Sequence, residues 1–159
     1  MTLGTAHLGL AVIAIASGAY VVARRKGDIT HRRCGWLLAG SLLGVNVTAL
    51  FIYNLTGEFG PFHVFAIVSL ASVLLGVGHA RLRRPERGWR ERHAYVMTWT
   101  YVGLLSAAAA EATTRLPETS FWWMVLAASG AVLAAGGLVI TRQLPRTLRR
   151  QGPTAPTAR

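Results

Sequence analysis

The residues of this chain that can do chemistry are few: five histidines, a glutamate inside an apolar run, and clusters of arginine. His7, His31, His63 and His93 each stand where an apolar stretch opens, and His79 stands where one closes. Imidazole is a ligand for haem iron and for zinc. Glu111 lies within the fourth stretch, and a carboxylate inside a membrane helix normally faces a partner or a cavity. His31 sits among Arg24, Arg25, Lys26, Arg32 and Arg33, the densest charge cluster in the chain.

The elements that must position these groups follow from composition. Of 159 residues 52% are hydrophobic and 14% charged, against roughly 25% charged in a soluble domain. Apolar runs at 5–23, 35–55, 62–80, 94–114 and 121–141 each approach the ~20 residues that cross a bilayer as a helix. The expected fold is all-α: an integral membrane bundle of five transmembrane helices, a four-helix core with a fifth, Ala- and Gly-rich packing helix. Residues 1–144 form that domain, and the Pro- and Thr-rich segment 145–159 is expected to be a disordered cytoplasmic tail.

Of the 17 Lys and Arg, all but Arg115 fall in the segments 24–33, 81–92 and the stretch after 141. The positive-inside rule then predicts N-out, C-in. The basic balance is thereby read as topology and contact with the anionic headgroups of the bilayer, not as nucleic-acid binding. The single cysteine, Cys34, excludes an intrachain disulfide or a Cys-based metal cluster. Gly40 and Gly44 form a small-xxx-small pair for close helix approach, and Asn46 and Asn54 are expected to hydrogen-bond between helices. Trp36, Trp89, Trp122 and Trp123 suit the interfacial belt.

In this topology His7, His63 and Glu111 share the outer depth, while His31, His79 and His93 share the inner one. His93 and Glu111, about five turns apart, lie on one face of the fourth helix. His63 and His79 point ~160° apart, so if His63 looks inward, His79 is the weakest ligand candidate. The plain alternative for Glu111 is an ion pair with Arg115, one turn on.

The stretches "KGDITHRRCG", "FHVF" and "HAYVMTWTYVGLLSAAAAE" resemble a bacterial family of small predicted membrane proteins, domain of unknown function 2306. The resemblance rests on His7, Lys26 with Gly27, His31 with Arg32 and Gly35, His63, His93 with Met97, and Glu111, from residue 7 to about 115. It implies a multi-pass protein of the bacterial inner (plasma) membrane whose histidines form a set, and it brings no known activity. The layout of one His from each of four helices, at alternating ends, is also similar to the two-haem b-type cytochromes that pass electrons across a bilayer. The two levels here are ~26 Å apart at 1.5 Å per residue, a long interval for one electron hop.

Three functions are carried forward, and whether the chain is an enzyme stays open. The first is binding of haem b or another redox metal for transmembrane electron transfer. His7/His63 would be the outer pair and His31/His93 the inner pair, with Arg32, Arg33 and Arg92 on inner haem propionates. Its partner would be a membrane redox protein or a second copy of the chain. The second is a zinc-binding membrane protein or hydrolase using His7, His63 and Glu111, or the inner histidines, without any HExxH spacing. The third is a structural or accessory membrane subunit in which these groups only hydrogen-bond between helices.

Overall fold

The first two helices begin where the sequence supplies a partner for their free main-chain groups. Helix α1 (Leu3–Ala23) starts at Thr2, whose hydroxyl accepts from Thr5 N–H. At its other end Lys26 Nζ donates to the carbonyls of Val21 and Val22, at 2.5 and 2.8 Å. Gly27, at φ 90°, takes a left-handed turn that a side chain would strain. Helix α2 (Ile29–Ala49) starts at Asp28, whose carboxylate accepts from His31 N–H at 2.6 Å. Helix α3 is Pro61–Leu82, α4 is Trp89–Thr113 and α5 is Phe121–Arg150.

These helices come from a computed structural model that describes residues 2–24, 26–53, 57–85, 88–114 and 121–150. No strand occurs among them. Asn54, Arg25, Arg115 and residues 151–159, about which the sequence raised expectations, lie outside the described residues.

All five apolar runs are helical, but their ends differ from expectation. The second was expected at 35–55 and lies at Ile29–Ala49, because the Asp28 cap draws His31, Arg32 and Arg33 into its first turns. The fourth was expected at 94–114 and starts at Trp89, taking in Arg90, Glu91 and Arg92. The fifth was expected to end at 141 and runs to Arg150 through Pro145. Residues 145–150, expected to be disordered, are therefore helical. The extension is rich in Arg, Gln and Leu, all strong helix formers, which carry the ladder past one missing N–H.

Among the described residues, three helices are long and apolar enough to cross a membrane: Leu3–Ala23, Pro61–Leu82 and Trp122–Arg149. Helices α2 and α4 are the polar pair. They contain His31, Asn46, Thr48, His93, Thr98, Thr100, Ser106 and Glu111, and so carry much of the chain's candidate chemistry.

The chain divides into two compact units, Met1–Val73 and Leu74–Arg159, with the division inside α3. In the first unit α1 packs along α2. Gly44 admits Leu10, since a Cβ there would lie 2.8 Å from Leu10 Cδ1, whereas Gly40 has open space. Only one half of the expected small-residue pair is thus a contact. Asn46, 4% exposed, donates from Nδ2 to Ser69 Oγ of α3 at 3.1 Å, the interhelical bond expected of it.

In the second unit α4 packs along α5. A Cβ at Gly136 would overlap the Val102 side chain, and one at Gly137 would meet Trp99 at 3.0 Å. Ser106 Oγ donates to the carbonyl of Ser129, at 3.2 Å. Large apolar side chains elsewhere on these helices, among them Val12, Leu74 and Leu126, are exposed, as residues facing lipid would be.

Candidate functional site

Four of the histidines, His7, His63, His79 and His93, have a partner that decides which ring nitrogen holds the proton. His7 Nδ1 lies 2.9 Å from Thr48 Oγ1 of α2. That hydroxyl donates to the carbonyls of Gly44 and Val45, at 2.7 and 3.0 Å. Its proton is thereby used, so His7 Nδ1–H is the donor and Nε2 keeps a lone pair. The bond ties α1 to α2.

His63 has the opposite arrangement. Its Nδ1 accepts from Gly60 N–H at 3.0 Å, while its own main-chain N–H donates to Gly60 C=O, also at 3.0 Å. This is half of a capping box, with imidazole in the place usually held by Glu or Gln, and the Gly60 carbonyl rather than a side chain takes the His63 N–H. Pro61, with no N–H to leave unpaired, begins the helix. In the neutral ring the proton must then be on Nε2. The residue is 3% exposed, and Nε2 is buried with no hydrogen-bond partner among the described residues. Leaving such a donor unmatched costs about 1–3 kcal/mol.

Rings on both sides complete this setting. Tyr53 lies 4.6 Å from His63 between centroids and Phe59 lies 4.9 Å away, at interplanar angles of 34° and 28°. Gly57, at φ 72°, returns the chain by donating to the Tyr53 carbonyl at 2.8 Å.

In the second unit, His93 Nδ1–H donates to the carbonyl of Gly76 on α3, at 2.7 Å. Met97, one turn further along α4, lies against the same glycine, where a Cβ would overlap its sulfur. The His93…Met97 spacing noted in the sequence is therefore a two-pronged clasp on Gly76. His93 Nε2 keeps its lone pair, the form in which metal-binding histidines are usually held by a carbonyl. His79 Nδ1–H donates in the same way to Arg84 C=O, at 3.1 Å.

His79 also lines a cleft of about 520 Å³ with Gly88, Glu91, Arg92, Tyr95 and Val96. Of these, the sequence had singled out Arg92 and set His79 last. Glu91 and Tyr95 were missed, although their spacing of four places them on one face of α4. Burial lowers the Lys26 pKa from its ordinary 10.5 at the α1 end.

The remaining candidates are divided between the two units. His31 is half-buried near the start of α2, and Arg32 and Arg33 beside it are exposed. His31 belongs to the first unit, as do His7 and His63, while His93 and the half-buried Glu111 belong to the second. Among the described residues, no group of three or more His, Cys, Asp and Glu is placed to hold a metal ion. His63 does not fit as an Nε2 ligand while Gly60 holds Nδ1, whereas His7 and His93 present the right lone pair.

An all-helical chain with three helices apolar enough to span, and polar groups tied off between helices, is the construction of a membrane protein. It belongs to the family described as predicted membrane protein (DUF2306), whose model matches residues 4–148. The match takes in the fifth helix as well as the segment that carried the resemblance. No curated protein and no solved structure matches the chain.

Proposed function

We propose that this is a five-span protein of the bacterial inner membrane, N-out and C-in, that binds a redox metal, haem b foremost, with the His93 imidazole as a ligand. One observation carries the reading: the Gly76 carbonyl orients His93 and holds its proton on Nδ1, at 2.7 Å. Nε2 is left as an electron-pair donor on a ring whose rotation is fixed. Haem bound there would supply one-electron chemistry. The chain's part would be to fix the imidazole and to meet a propionate with Arg92, which is exposed. An outer His7/His63 pair is the weaker half, because His63 carries its proton on the would-be ligating nitrogen. The same proton speaks against zinc at His7, His63 and Glu111.

A second reading is favoured by the bonds of His7 and His63, which are made within the protein. In it the protein is an accessory membrane subunit whose histidines only fasten helices. The absorption spectrum and metal content of detergent-purified protein decide between the two. The redox reading expects a Soret band or stoichiometric metal in the wild type, lost in His93→Ala. Metal-replete protein with neither signal is the accessory subunit.

A further inference from the structure

His63 raises a question that metal binding does not answer. The residue is 3% exposed, Nδ1 is occupied by Gly60 N–H, and Nε2 is buried with no hydrogen-bond partner among the described residues. A neutral imidazole accepting on Nδ1 must carry hydrogen on Nε2. The unmatched atom is thus a donor, and what it lacks is an acceptor oxygen. Buried donors are seldom left so, and each such case needs a cause.

The surroundings narrow the acceptor. Tyr53 and Phe59, which flank the imidazole, are themselves 42% and 58% exposed. His63 lies in the first turn of Pro61–Leu82, a helix apolar enough to cross a membrane, so it belongs near a bilayer interface. The positive end of the helix dipole favours an oxygen bearing partial negative charge. A single N–H between aromatic rings suits an uncharged oxygen. A phosphate would need several charge-assisted bonds to be buried there.

We propose that His63 Nε2 is the donor of a binding site for a carbonyl oxygen carried by a lipid-soluble molecule, with Tyr53 and Phe59 as its walls. The carbonyl can belong to the ester of a glycerolipid or to a quinone ring. Either one enters as an exposed wall swings outward and takes the proton of Nε2 as its hydrogen bond. The site stands independently of metal at His93.

The test uses full-length protein labelled with ¹⁵N-histidine in three lipid nanodiscs. One is made of ether-linked phosphatidylcholine, which has no ester carbonyl. A second is made of the ester-linked lipid, and a third of ether-linked lipid with decylbenzoquinone. The His63 Nε2–H signal is assigned by its loss in His63→Gln. A downfield shift of that signal is expected on going from the first disc to the second or the third, and the disc that produces it names the source. An unmoved signal in both, or a ring whose Nε2 carries no proton, overturns the proposal.

Substitution separates the donor from the cap. His63→Gln keeps an acceptor for Gly60 and an N–H to donate; His63→Glu keeps the acceptor alone. If the quinone disc is the one that responds, saturable quenching of tryptophan fluorescence by decylbenzoquinone should be about tenfold weaker in Glu than in Gln. Equal midpoints in the two variants would remove the quinone from this site.

Discussion

His63 and His93 are the same residue type, each near the start of a helix, yet their rings are held in opposite senses. At His63 the imidazole accepts from the main chain of its own helix start. At His93 it donates to the main chain of another helix. The first bond is local and shapes the entry to α3; the second is tertiary and holds α4 on α3. One leaves an N–H without a partner, the other a lone pair. Residue type and helix position therefore do not settle what a histidine offers a ligand. The atom facing Nδ1 does.

The largest expected effect strikes the tertiary side of this contrast. In Gly76→Val, new methyl groups would overlap Met97 and Val96, forcing α4 away and breaking the His93 bond. Overpacking of this kind costs about 1–3 kcal/mol, and thermal unfolding in detergent should show it. The His93 ring signals should move while those of His63 stay in place; joint movement would break the distinction.

A smaller loss is expected on the local side. His63→Ala removes the cap and the ring between Tyr53 and Phe59. A cap alone is worth about 1 kcal/mol. His63→Gln should recover that part in the same melt, and a harmless Ala would mean that the box does not hold the helix start.

The smallest effect concerns the cap made by Lys26. Burial lowers its folded pKa below the ordinary 10.5. Between those two values the unfolded chain binds more protons, so stability rises with pH across that window. Melts compared over that range should show wild type gaining on Lys26→Met as pH increases. The reverse slope would show that the bonds to Val21 and Val22 outweigh desolvation.

Much of the fold was legible because apolar runs of bilayer length have few alternatives to helix. The sequence left the phase of His63 as a condition, and the burial of Ala66 and Val73 on the same stripe of α3 places it inward. Helix ends were less legible. Asp28 and the Gly60–Pro61 step set two starts through single hydrogen bonds that hydropathy does not register. The Arg- and Leu-rich end of α5 reads as tail by charge but as helix by propensity. Least legible was the state of each imidazole. It depends on one oxygen or one N–H at about 3 Å, and sequence spacing gives no hint that His93 and Met97 converge on Gly76. The polar company of His79 was missed because phase was judged along α3 alone, without the facing turn of α4.

The length of α5 has a mechanical consequence. Arg142, Arg146 and Arg149 follow one another at spacings of four and three, on one exposed stripe, beyond the apolar part of the helix. At ~100° per residue that stripe lies roughly opposite Gly136 and Gly137, the pair set against Val102 and Trp99. At the other end Trp122 and Trp123 are exposed. In a bilayer, guanidinium groups and indoles both seek the headgroup layer. The helix is thus pinned like an axle at two bearings, unable to roll about its own axis. Side chains that never touch α4 fix the azimuth at which the glycine seam meets it.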